Sequence, residues 1–143
     1  MLSHHIILVC MCLTFVSNDF VGVAVLLTNK QRLNKRISSN IRNIPANAFY
    51  TALPQLISRV THRNSDTAVV VETILTRVLT KFPSQAMWTL SWLRNSMTTG
   101  RSKIGERIFK SSQESLSKRK DKRHQVLLMA SKSLIKFLIE LAR

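Results

Sequence analysis

Residues 49–88 read FYTALPQLISRVTHRNSDTAVVVETILTRVLTKFPSQAMW, and the fold turns on how this stretch is parsed. Val71, Ile74, Leu75, Val78, Leu79 and Phe82 follow the i, i+3, i+4, i+7, i+8, i+11 spacing, which places them along one face of an α-helix. The run Val69, Val70, Val71 favours a strand locally because β-branched side chains suit a pleated surface. Its continuation at helical spacing outweighs that preference. Ser65 or Asp66 is the expected N-cap, and Pro83 is expected to end the helix. Upstream, Phe49, Leu53, Leu56, Ile57 and Val60 give the apolar side of another helix, for which Asn47 is the expected cap. Pro54 either kinks that helix or stands as its first residue.

Working outward from this stretch, Leu33, Ile37 and Ile41 recur every four residues after Gln31, the pattern of a short amphipathic helix ending before Pro45. A further helix starts near Pro83 or Ser84. It carries Ala86, Leu90, Leu93 and Met97 on one line, with Trp88 and Trp92 roughly opposite. A helix apolar on two sides fits an array of stacked hairpins, where neighbours cover both flanks. The same pattern also fits a compact bundle with both tryptophans in its core. After Thr98-Thr99-Gly100 a shorter helix holds Ile104, Ile108 and Phe109, weakened by Gly105 by about 1 kcal/mol relative to alanine. Residues 111–117 form a connection or an extension of it. The last helix runs from about His124, with Leu127, Leu134, Leu138 and Leu141 on one line and Leu128, Ile135 and Ile139 beside it. That face is wide enough to need a partner.

Composition agrees with an all-helical chain. Three glycines and three prolines in 143 residues, with 45% hydrophobic content, disfavour both a turn-rich β fold and wholesale disorder. Twenty-two Lys and Arg against seven Asp and Glu give a formal net charge of +15, which attracts polyanions. Aromatic residues do not alternate with the basic ones and no zinc-finger spacing occurs, so a specific nucleic-acid site is not expected.

Ala52 to His62 (ALPQLISRVTH) and Phe82 to Trp88 (FPSQAMW) resemble the FAT region of ATR-type checkpoint kinases, within the phosphatidylinositol-3-kinase-related kinase family. The likeness runs more loosely from about Gln31 to Arg143 and does not reach residues 1–30. It implies an all-α fold of antiparallel helical hairpins in a repeat, solenoid-like scaffold, and makes residues 31–143 a fragment of such a scaffold. The function implied is support of a serine/threonine kinase domain in the nuclear DNA-damage checkpoint. Implied partners are that kinase domain, other scaffold helices or partner subunits. ATP and a divalent metal would serve the parent kinase, and no cofactor is expected in this chain. Leu53, Leu56, Ile57, Ile74, Val78, Trp88 and Leu90 are the expected packing residues.

The chain carries no recognisable chemistry of its own. Phosphoryl transfer needs a phosphate-cradling loop, a phosphate-binding lysine, a catalytic aspartate and metal-holding side chains. Glycines at 22, 100 and 105 build no such loop, and there is no Asp-Phe-Gly, Walker lysine or GxSxG elbow. No catalytic, cofactor-binding or metal-ligating residue is assigned. His4, His5, Cys10 and Cys12 lie close in sequence but match no zinc spacing.

Residues 1–30 contain apolar runs at Ile6–Val16 and Phe20–Leu27, split by Asp19. A carboxylate near the middle of a span costs about 2.5–3.5 kcal/mol on insertion scales. A signal peptide would have no Lys or Arg in its n-region and only a weak cleavage signal at Gly22-Val23-Ala24. Flanking or isoform-specific sequence is the favoured reading of this segment. The alternative is a small basic helical protein directed to a membrane or secreted by residues 1–28.

Two local signals complete the reading. Lys118-Arg119-Lys120-Asp121-Lys122-Arg123 suits import recognition or an acidic partner, against the plainer reading of a solvated linker or helix start. Ser84-Gln85 and Ser112-Gln113 match the dipeptide that ATR-like kinases phosphorylate, as the resemblance implies. Capping is the expected role of Ser84, which leaves Ser112 as the phosphorylation candidate because its surroundings read as exposed.

Overall fold

A computed structural model describes residues 43–50 and 52–142. The apolar runs of residues 1–30, the histidine and cysteine group within them and the helix expected over residues 31–42 lie outside the described residues. Six helices follow in order: α1 (Ala46–Tyr50), α2 (Leu53–Ser58), α3 (Ser65–Lys81), α4 (Pro83–Arg94), α5 (Thr99–Lys118) and α6 (Lys122–Leu141). No strand occurs among the described residues. The fold is the expected all-α scaffold of packed helical hairpins.

Helix α3 is the centre of the packing. Ile74, Leu75, Val78 and Leu79 are at most 2% exposed, the face that the 3.6-residue period defines. Each such side chain contributes about 1.5–3 kcal/mol by leaving water. Phe49 from α1, Leu53 and Leu56 from α2, and Val60 beyond it join the same core. Helix α2 begins at Leu53 with Pro54 in its first turn, where the missing N–H would have had no intrahelical acceptor. Of the two options for Pro54, a helix start rather than a kink is therefore the one adopted.

Three termini differ from expectation. Asn64 caps α3, its side chain accepting the Thr67 N–H at 3.1 Å, one residue before Ser65 and two before Asp66. The Asn64 N–H in turn donates to His62 Nδ1 at 3.1 Å, which holds the cap in an extended backbone. Asn47 lies inside α1 rather than capping it, since that helix begins at Ala46. Helix α4 has Phe82 at its N-cap with no side-chain capping bond, so Ser84 does not cap and sits exposed in the first turn.

Helix α5 reaches Lys118 because residues 111–117 extend it rather than form a connection. Leu116 is buried, and Ser115 Oγ donates to the Ser111 carbonyl at 2.8 Å, so that serine finds a partner within its own helix. Helices α3 and α5 run side by side in the same direction: Arg107 pairs with Glu72, and one turn further on Ser112 meets Thr76. Helix α4 packs on both, and α6 packs on α4 and α5.

Candidate functional site

At the α4–α5 crossing, Gly105 is the residue on which the approach depends. A Cβ there would lie 2.6 Å from Arg94 Cα and 2.7 Å from Arg94 N, closer than any side chain tolerates. The glycine read as a weakness in the sequence is thus what lets two backbones touch. Arg94 is almost fully buried beside it. Its guanidinium lies 4.7 Å from the centre of the Phe109 ring, its Nε is 3.5 Å from Glu106 Oε1, and its carbonyl accepts from Ser102 Oγ at 2.8 Å. A buried guanidinium needs partners of this kind to offset lost hydration. Nothing in the sequence pattern singled Arg94 out, although a glycine in mid-helix in a chain with three glycines was a usable signal.

The last hairpin closes at the basic run. Lys120 has φ of 58°, a left-handed conformation that turns the chain sharply. Asp121 then caps α6, accepting the His124 N–H at 3.2 Å, with its other oxygen 2.6 Å from His124 Nδ1. The hydrogen bond from the His124 side chain, then that from its backbone, holds the Asp121 carboxyl below its ordinary value, and the Arg119 charge adds to this. The run 118–123 is therefore a helix end, a turn and a helix start, with all five cations exposed.

Beyond this turn α6 buries one narrow line, Leu128, Ser131 and Ile135. The line expected to need a partner stays largely uncovered, with Leu134, Leu138 and Leu141 45–68% exposed and Leu127 half-buried against the core. Leu127, Ala130, Leu134, Phe137 and Leu141 are spaced 3, 4, 3, 4, the a/d spacing of a helix seam. Val126, Met129 and Phe137 are also more than half exposed. On α4, Ala86, Leu90 and Leu93 are buried as expected. Trp88 is 47% and Trp92 82% exposed, and Met97 lies beyond the helix fully in water. The compact bundle with both tryptophans in its core is excluded, and Trp88 is not a core residue here. Leu53, Leu56, Ile74, Val78 and Leu90 are buried, and Ile57 is half-buried against the same core.

Ser112 overturns its assignment as the accessible serine. It is 0% exposed, and its hydroxyl donates to the Thr76 carbonyl at 3.3 Å, so a kinase would have to unfold α5 to reach it. No group of three His, Cys, Asp or Glu residues suited to a metal occurs among the described residues. No helix among them is long and apolar enough to cross a membrane.

Helical hairpins held by close backbone approach, with apolar faces left outward, have the build of a scaffold of helical repeats. The family described as "Serine/threonine-protein kinase ATR-like, HEAT repeats" matches residues 32–135, and the chain belongs to it. It is 30% identical over 88 residues to the serine/threonine-protein kinase ATR of Arabidopsis thaliana, covering 62% of this chain and 3% of that protein. It is 31% identical over 101 residues to the ATR kinase of Oryza sativa subsp. japonica, covering 71% of this chain and 4% of the relative. Against the serine/threonine-protein kinase MEC1 of Eremothecium gossypii it is 35% identical over 74 residues, covering 52% of this chain and 3% of that protein. The chain thus spans only a few hundredths of the length of these relatives. No solved structure matches it.

Proposed function

We propose that this chain serves as a length of helical scaffold in an ATR-like serine/threonine kinase, within its FAT region, where it supports the kinase domain and carries no chemistry itself. In this reading it acts in the nucleus in the DNA-damage checkpoint, and ATP and a divalent metal belong to the kinase domain. The observation that carries the reading is α6: Leu134, Phe137, Leu138 and Leu141 are 45–68% exposed on a helix whose opposite edge is packed, as in a repeat awaiting its next neighbour. The neighbours would be further scaffold helices, the kinase domain or partner subunits. Burying those four side chains would contribute about 25 cal/mol for each Å² of apolar surface removed from water, a strong drive toward association.

A chimaera tests this. Residues 32–141 replace the corresponding stretch of the MEC1 kinase of Kluyveromyces lactis, a relative 31% identical over 83 residues. The chimaera should keep kinase activity and survival of DNA damage, and the same insert with Phe137→Asp and Leu141→Asp should lose both. Loss of activity with the unaltered insert, in a chimaera that is expressed and folded, would sink the scaffold reading.

A further inference from the structure

The uncovered face of α6 has the build of one half of a helix pair. Its 3, 4, 3, 4 line alternates between the two core positions of a heptad, with Leu127, Leu134 and Leu141 at one and Ala130 and Phe137 at the other. Ala130, Leu134, Phe137 and Leu141 are all exposed. Two copies of such a face can pair in either direction, and side-chain size separates the two. Laid parallel and in register, Phe137 meets Phe137 and Ala130 meets Ala130, which gives one crowded layer and one underfilled layer. Laid antiparallel, with Leu127 against Phe137 of the second copy, Ala130 falls against Leu134. Every small side chain then faces a large one, as close packing requires. In that register Leu141 falls against the aliphatic stem of Arg123.

Charge along α6 points the same way. Glu140, the one carboxylate of α6, stands in its last turn, and Lys122 and Arg123 stand in its first. Within the chain Glu140 meets Lys136 at 3.9 Å, with both side chains mostly exposed, which makes a weak pair. An antiparallel partner brings Lys122 and Arg123 beside Glu140 at both ends of the pair. It also sets those cations at a helix C-terminus, where the backbone dipole favours them. A parallel partner would place the basic turns at residues 118–123 side by side. Antiparallel packing parts them by the length of the helix, about 30 Å, against a screening length of about 8 Å at physiological salt. The formal net charge of +15 on each chain therefore does not forbid association. Lys132 and Lys136 stand two residues to either side of Leu134 and so project to the far side of the helix. Because α6 is already formed against α4 and α5, pairing carries no cost of ordering a helix.

We propose that two copies of this chain associate through their α6 faces as an antiparallel, two-fold symmetric helix pair. The proposal rests on the scaffold reading only in taking a protein to cover α6, and it names that protein as a second copy. One helix pair is a small contact beside the roughly 800 Å² per partner of a standard interface, so a micromolar dissociation constant is expected. Analytical ultracentrifugation of the full chain at near-physiological salt, from about 1 to 300 μM, brackets that range and should show a reversible monomer–dimer equilibrium. Leu134→Ser with Phe137→Ser should weaken the dimer at least about tenfold. Trp92→Ser with Met97→Ser removes exposed apolar side chains away from α6 and should change it by less than about twofold. Charge reversal reads the direction. Glu140→Lys should weaken the dimer at least about threefold by facing Lys122 and Arg123 of the second copy, and adding Lys122→Glu and Arg123→Glu should restore it. The first and last turns of one α6 are about 30 Å apart, so rescue requires that they meet between copies. Circular dichroism checks that every variant keeps its helices. A chain monomeric across the range, species larger than a dimer, equal weakening by the two apolar double variants, or failure of the rescue would each overturn the proposal. A monomeric chain whose MEC1 chimaera is active would sink the dimer and keep the scaffold role, whereas a dimer with an inactive chimaera would do the reverse.

Discussion

Helices α3 and α6 have similar apolar sequence patterns and opposite fates. Val71, Ile74, Leu75, Val78 and Leu79 on α3 are at most 6% exposed, whereas Val126, Met129, Leu134, Phe137, Leu138 and Leu141 on α6 are at least 45% exposed. The α3 stripe meets α1, α2, α4 and α5, while among the described residues α6 packs chiefly on the edge formed by α4 and α5. An apolar stripe therefore states that a helix needs a neighbour, and the chain's own topology decides whether that neighbour is inside it. The sharpest test sets the two faces against each other. Ile74→Ala should cost about 2–5 kcal/mol in urea unfolding, as for a large-to-small change in a filled core. Phe137→Ala should move stability by less than about 0.5 kcal/mol, because its side chain already meets water. Equal losses would mean that α6 is buried in the chain in solution, and the contrast would collapse.

The two glycines of α5 give the next largest effect and a second contrast of crowded against open positions. Gly105→Ala should destabilise by about 1–3 kcal/mol, since the new methyl meets Arg94 backbone atoms at 2.6 and 2.7 Å and a backbone cannot rotate aside. Gly100 has nothing within 4 Å of the position its Cβ would take. Gly100→Ala should raise stability by about 0.5 kcal/mol through reduced backbone entropy of the unfolded chain. Thermal unfolding of the two variants should shift in opposite directions, and a stabilising Gly105→Ala would disprove the close crossing.

How far the sequence could be read follows from the same contrast. The buried face of α3 was legible because helical spacing is a local property and its partners surround it. The buried line of α6 was not, since Leu128, Ser131 and Ile135 are selected by where α4 and α5 happen to lie. Ser131 hides in that line by donating to the Leu128 carbonyl at 2.8 Å, so hydrophobicity alone could not find it. Trp88 and Ser112 failed for complementary reasons: a large apolar side chain can face outward in a repeat, and a serine can be buried when a carbonyl accepts its hydroxyl. The scaffold character was legible from Ala52–His62 and Phe82–Trp88.

Helix starts extend the comparison to smaller energies. Asn64 and Asp121 each accept a backbone N–H three residues on, but one opens the buried helix and the other the half-covered one. Asn64→Ala should cost about 1 kcal/mol, read as a lower urea midpoint with unchanged slope. Hydrogen exchange should show that loss spread over the whole core, because α3 opens only with everything packed on it.

Asp121 gives the smallest and most local effect, and its sign follows from proton linkage. The folded carboxyl is held below the ordinary value of 3.8 by the His124 side chain and backbone and by Arg119. Folding therefore favours the ionised form, so its contribution is fully present above the unfolded value and is lost as pH falls through the folded one. Lowering pH from neutral to just below 4 should leave most of it in place, and further acidification should remove it. Amide exchange at the first turn of α6 should then rise before that of α3, whose cap is an uncharged Asn64. Asp121→Asn keeps an acceptor oxygen for the His124 N–H while removing the titration. It should abolish the pH dependence of that first turn and leave the helix formed. If the wild-type first turn were instead equally protected on both sides of the transition, the Asp121 carboxylate would not be what secures the start of α6, and the turn at Lys120 would have to hold it alone.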